Sequence, residues 1–83
     1  MVSTKLYVGN LPYTLKDSEL SDTFKPHGNV ISAKVITDKE SGRSKGFGFV
    51  EMENENDANS AIKALNGMEL KGRKLVVATA KAN

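Results

Sequence analysis

Short runs in which every second residue is apolar alternate along this chain with stretches in which apolar residues recur every third or fourth position. Residues 5–9 (Lys-Leu-Tyr-Val-Gly) carry the two-residue period of a half-buried strand, ended by Gly9-Asn10 and Pro12. Leu20, Thr23, Phe24 and His27 fall at i, i+3, i+4 and i+7, the stripe of a helix. Thr14 followed three residues later by Asp17 has the form of a capping box and predicts a start near Leu15; Pro26 and Gly28 predict the end. The β-rich run Val30 to Thr37 predicts a second strand. Polar residues 38–44, with Gly42 among them, form a hairpin-type connection into a third strand at 45–52. Asn54, with Asp57 three residues on, predicts the cap of a second helix whose narrow stripe is Ala58, Ala61, Ile62 and Leu65; Asn66-Gly67 stops it. Glu69-Leu70 and Gly72-Arg73 read as a short hairpin before a last strand, Leu75 to Thr79.

The order strand, helix, strand, strand, helix, strand fits an α+β, ferredoxin-like sandwich: a four-stranded antiparallel sheet with two helices packed on one face. Alternation then sorts the strand residues. Leu6, Val8, Ala33, Val35, Val50, Met52, Leu75 and Val77 are expected to face the helices. Tyr7, Lys34, Ile36, Phe47, Phe49, Val76 and Ala78 are expected on the open face. Gly46 and Gly48 are out of phase with the phenylalanines, so both are expected to face the helices and let them approach closely. Three aromatic rings on an uncovered sheet face need a reason, because large exposed apolar patches mark docking sites.

At 83 residues, the chain makes one small domain, expected to span residues 4–81 between short termini. Its 39% hydrophobic and 27% charged residues are those of a folded protein. Twelve Lys plus Arg against 10 Asp plus Glu leave a net charge of +2, so any polyanion site depends on where the cations sit. The absence of Cys removes disulfides and thiolate metal sites, and a single His cannot build a zinc site. No cofactor or metal is expected. No apolar run approaches the roughly 18 residues of a membrane span, and no signal-peptide core is visible in residues 1–20.

Two segments carry the chemistry. Lys45-Gly46-Phe47-Gly48-Phe49-Val50-Glu51-Met52 places Phe47 and Phe49 two residues apart on one face, where they can stack flat ligands such as nucleobases. With Leu6-Tyr7-Val8-Gly9-Asn10-Leu11, it resembles the paired motifs of the RNA recognition motif family, whose octamer reads K/R-G-F/Y-G/A-F-V-x-F/Y. The departure is Met52, which alternation turns toward the core, where Met is an adaptable filler. The resemblance implies that Tyr7 and Phe49 stack bases, that Phe47 packs against a sugar between them, and that Lys45 contacts phosphate. It also implies that strands one and three are central, with Tyr7 beside the two phenylalanines. Arg43 and Lys39 in the preceding loop, with Lys5, Lys34, Lys74 and Lys81 around the sheet, are expected to add a cationic rim. Asn10 either offers its amide to a base or caps the turn. Glu51 either accepts hydrogen bonds from base amino groups or lies at the solvent edge. Ala78 completes the open surface. Tyr13 either reaches a base at the edge of the sheet or packs over Pro12, of which packing is the expected one, and His27 is expected to sit at the core edge.

The expected partner is single-stranded RNA, with single-stranded DNA left open, and the expected state is a monomer. The competing reading is an RNA-recognition-motif fold used for protein–protein interaction, a use that commonly goes with loss of the platform rings, which are retained here. An enzyme is not expected. Gly46-Phe47-Gly48 lies inside a strand and lacks the third glycine of a dinucleotide loop. Residues 9–13 hold no cation for an acylphosphatase-like cradle, and one His leaves no nucleophile–base pair. The make-up resembles short single-domain bacterial, including cyanobacterial, proteins as well as excised domains of larger eukaryotic ones, and Met1 close to strand one favours the former. Without a basic nuclear-localisation run, the expected compartment is the cytoplasm.

Overall fold

Six strands and two helices follow one another in a computed structural model that describes residues 4–80. They are β1 (Lys5–Gly9), α1 (Asp17–Phe24), β2 (Val30–Thr37), β3 (Ser44–Met52), α2 (Glu55–Leu65), the two-residue strands β4 (Glu69–Leu70) and β5 (Arg73–Lys74), and β6 (Val76–Thr79). The main sheet runs β2-β3-β1-β6 with every pair antiparallel, so β3 and β1 are central; β4 and β5 form a separate hairpin. Both helices lie on one face. The extents of 36 × 28 × 18 Å are those of two layers, and among the described residues the other sheet face is left uncovered.

The core is the set that alternation picked, with additions. Leu6, Val8, Val35, Val50, Met52, Leu75 and Val77 are buried against Leu20 and Phe24 of α1 and Ala58, Ala61 and Leu65 of α2; Ala33 and Ile62 are partly buried at its edge. Leu11 and Leu15 join from the β1–α1 loop. The small residues of α2 let that helix approach the sheet closely, and its start is fixed as expected: the Asp57 N–H donates to Asn54 Oδ1 at 2.9 Å.

The start of α1 differs from expectation. The chain first turns, with the Leu15 N–H donating to the Pro12 carbonyl at 3.1 Å, and the helix begins two residues later than Leu15. Lys16 takes the cap position, and Glu19, not Asp17, reaches back to accept its N–H at 3.1 Å. Asp17 is thereby released to the sheet, where its Oδ1 accepts the Val35 N–H of edge strand β2 at 2.7 Å. A carboxylate on an edge-strand donor also blunts pairing with another chain. Phe24 ends the helix and a single tighter turn, Lys25–His27, carries the half-buried His27.

Two irregularities interrupt the β2–β3 ladder. Val30 pairs with Met52 but Ser32 with Glu51, so β2 holds one extra residue there, and Ile31 stands 59% exposed. Val35 pairs with Gly48 but Thr37 with Ser44, so residues 45–47 of β3 bulge out of register. The bulge corrects the expectation for Gly46. Its φ is +84°, and a Cβ there would sit 3.1 Å from Tyr13 Cε1, so it faces the β1–α1 loop and not the helices. Gly48 does face them: it is buried, and a Cβ would lie 3.2 Å from Leu20 Cδ2 and collide with the Lys34 carbonyl.

Candidate nucleic-acid interface

The open face is organised by strand register. Residues opposite each other in antiparallel strands project to the same side, and pairing places Ala78, Tyr7, Phe49 and Lys34 in one row across β6, β1, β3 and β2. Lys5, Glu51 and Ser32 form the next row. Tyr7, Phe47 and Phe49 are half-buried and mutually in contact, with ring centroids 5.9 Å (Tyr7–Phe47), 6.0 Å (Tyr7–Phe49) and 6.1 Å (Phe47–Phe49) apart. Interplanar angles of 66° and 86° put Phe49 edge-on to the other two, a favourable arrangement for ring quadrupoles. Neither helix covers them.

The residues around the rings divide by what already engages them. Lys5 Nζ stands 5.1 Å from the centre of the Phe49 ring, near enough for cation–π attraction. Lys34 and Ala78 are exposed beside Phe49 and Tyr7, and Glu51 is half-buried between Lys5 and Ser32. Lys39 and Arg43 are exposed on the β2–β3 connection, and Lys45 is exposed at the start of β3. Lys74 is exposed on β5. Lys81 lies outside the described residues.

Asn10 has both ends of its amide occupied. Its Nδ2 donates to the Lys74 carbonyl at 2.8 Å, and its Oδ1 accepts from Arg73 Nη1 at 3.1 Å. The residue adopts a φ of 58°, a left-handed conformation that Asn tolerates better than most. It pins the exit of β1 to the β4–β5 hairpin.

Two participants escape the sequence pattern, and a third stands otherwise than expected. Gly9 seats Tyr7, since a Cβ there would lie 2.7 Å from the phenol oxygen. Arg73 holds its guanidinium carbon 5.1 Å from the centre of the Tyr13 ring. Tyr13, expected over Pro12, is 63% exposed, with Arg73 on the ring and Gly46 at its edge. An aromatic motif could have flagged Gly9, two residues from Tyr7 on the same face. The Arg73 contact spans 60 positions of chain and left no local signal.

Residues 6–76 match the sequence model of the RNA recognition motif. Over 73 residues (88% of this chain) the sequence is 51% identical to the chloroplastic RNA-binding protein CP31B of Arabidopsis thaliana; the chain spans 25% of that relative's length. A crystal structure of RNA binding protein PG1 superposes with a TM-score of 0.92 at 52% identity, covering 98% of both chains. The Rna15 RRM with bound RNA (GU) superposes with a TM-score of 0.87 at 32% identity, covering 96% of this chain and 85% of that one.

These relatives are RNA-binding ribonucleoproteins of a non-enzymatic family, in agreement with the expectation that the chain is not an enzyme. The expectation of a cytoplasmic protein is overturned, because the curated relatives at 47–52% identity are chloroplastic or mitochondrial. That expectation rested on a missing nuclear signal, which carries no information about organelles. Through the match across residues 6–76, together with near-complete superposition on a protein of 52% identity, the chain belongs to the RNA recognition motif family.

Proposed function

We propose that this chain binds single-stranded RNA on the open face of its sheet, as a monomeric domain of residues 4–81 that needs no metal. Bases stack on Tyr7 and Phe49, Phe47 packs against the sugar between them, and Lys45, Arg43, Lys34 and Lys39 meet phosphates. The observation that carries the reading is the triad of rings within about 6 Å of one another on a face that neither helix covers. Single strands suit such a platform because their bases can be splayed out onto aromatic rings. A relative of the same fold holds RNA in its solved structure, which supports the choice of partner. Lys5 contributes by extending the Phe49 platform with its ammonium, and Asn10 contributes by holding Arg73 in place. Glu51 accepts from base amino groups at the Lys5 side of the platform. Single-stranded DNA competes for the rings, which do not sense the 2′-hydroxyl.

Phe49→Ala is the direct test. Titration with single-stranded RNA should show binding weakened by about 1–3 kcal/mol, the worth of one stacked base, with thermal unfolding still cooperative. Equal affinity for variant and parent would remove the stacking platform.

A further inference from the structure

We infer that a groove between Tyr13 and the β2–β3 connection takes a further nucleotide of the same single strand, its base on the Tyr13 ring and its phosphate against Arg43 and Lys45. This rests on the platform reading and extends it past the three rings of the sheet. The groove has a volume of about 770 Å3 and is lined by Tyr13, Asp38, Arg43, Ser44 and Lys45 among others. That is within the roughly 300–1,000 Å3 range of small-molecule clefts.

The bulge builds it. Displacement of residues 45–47 from the β2 register carries Lys45 out of line with Phe47 and Phe49 and toward the loop after β1. The Leu11 N–H donates to the Gly46 carbonyl at 2.8 Å, which ties that loop to the bulge, and Gly46 has no side chain to push Tyr13 away. The ring is 63% exposed yet fixed: Arg73 lies 5.1 Å from its centre and is itself held by Asn10 Oδ1. Among the described residues, the side chains of Arg43 and Lys45 make no hydrogen bond or ion pair, so both are available to an anion. An exposed planar ring backed by one guanidinium, next to two uncommitted cations, matches the two halves of a nucleotide. Asp38 belongs to the same groove; its Oδ1 accepts the Glu40 N–H at 2.8 Å, which turns the loop and leaves the second oxygen for an amino group on the base.

Strand length tests the assignment. Fluorescence anisotropy of the whole chain with a dinucleotide and with a mixed-sequence RNA of about ten nucleotides compares the platform alone with platform plus groove. Tyr13→Ala should weaken binding of the long strand by about 5- to 100-fold and leave the dinucleotide unchanged, while Tyr13→Phe retains the parent affinity for both. Arg43→Ala should lower the slope of log affinity against log salt by about one unit on the long strand. Long-strand affinity unchanged in Tyr13→Ala, or equal losses on both lengths, overturns the groove. Phe49→Ala separates this failure from that of the platform: loss on both lengths with Tyr13→Ala silent rejects the groove alone. Silence of both variants rejects the platform and the groove together.

Discussion

Tyr7 owes its position on the open face to the residue two places after it. A Cβ at Gly9 would lie 2.7 Å from the Tyr7 phenol oxygen and 2.9 Å from Cε2, closer than real Cβ contacts come. The ring is therefore laid over Gly9, and that brings it within 5.9 Å of Phe47 and 6.0 Å of Phe49. Gly9→Ala should displace the ring without opening the core, because the added methyl points to the open face. RNA binding is expected to fall by up to about 1–3 kcal/mol, as if one stacking partner were lost, with little change in melting temperature. Affinity equal to the parent's would mean that Tyr7 stacks equally well from a different orientation, or does not stack.

At the scale of elements, β3 decides both the fold and the site. Gly48 lies where the central strand passes under α1, with Leu20 Cδ2 3.2 Å from the position a Cβ would take and the backbone of Lys34 and Val35 on its other flank. Backbone on one side cannot retreat as a flexible side chain would. Gly48→Ala should therefore cost about 1–3 kcal/mol by overpacking, and lower the melting temperature by about 4–20 °C for a domain of this size. A circular-dichroism melt within a degree of the parent's would show that α1 yields. The alternation that exposed Phe47 and Phe49 in the sequence also read Gly48 correctly, since one face was filled with Val50 and Met52 and the other with rings. It misread Gly46 because a bulge inserts residues without altering their apolar pattern; only the register with β2 reveals it. In the same way, Thr14 and Asp17 satisfied the spacing of a helix start, but a turn from Pro12 to Leu15 used Thr14 first and handed the cap to Lys16. The cap at Asn54 was legible because no competing turn precedes it.

Over the whole molecule, contacts between distant segments set the position of the β4–β5 hairpin, and these had no local signature. Arg73 to Asn10 and Lys71 to Glu19 join residues 63 and 52 positions apart. The Lys71 ammonium donates to Glu19 Oε2 at 3.0 Å, both groups being well exposed, and this ties the hairpin to the first turn of α1. The hydrogen bond from Lys71, then that from the Lys16 N–H, holds the Glu19 carboxyl below the usual carboxylate range. A carboxyl whose pKa is lower in the folded state binds fewer protons there than in the unfolded chain. Its contribution to stability is thus fully present above the ordinary carboxylate pKa, and is lost as pH falls through the lowered folded value. Lys71→Ala should raise the Glu19 pKa toward its ordinary value without restoring it fully, since the Lys16 N–H still donates to Oε1. Carboxyl NMR titration measures that rise directly. The melting temperature of the variant should differ from the parent's at neutral pH and converge with it in acid, where Glu19 is protonated in both. A difference that persists undiminished at low pH would assign the hairpin's attachment to the Asn10–Arg73 contact and the packing of Leu70 against the core, not to the ion pair.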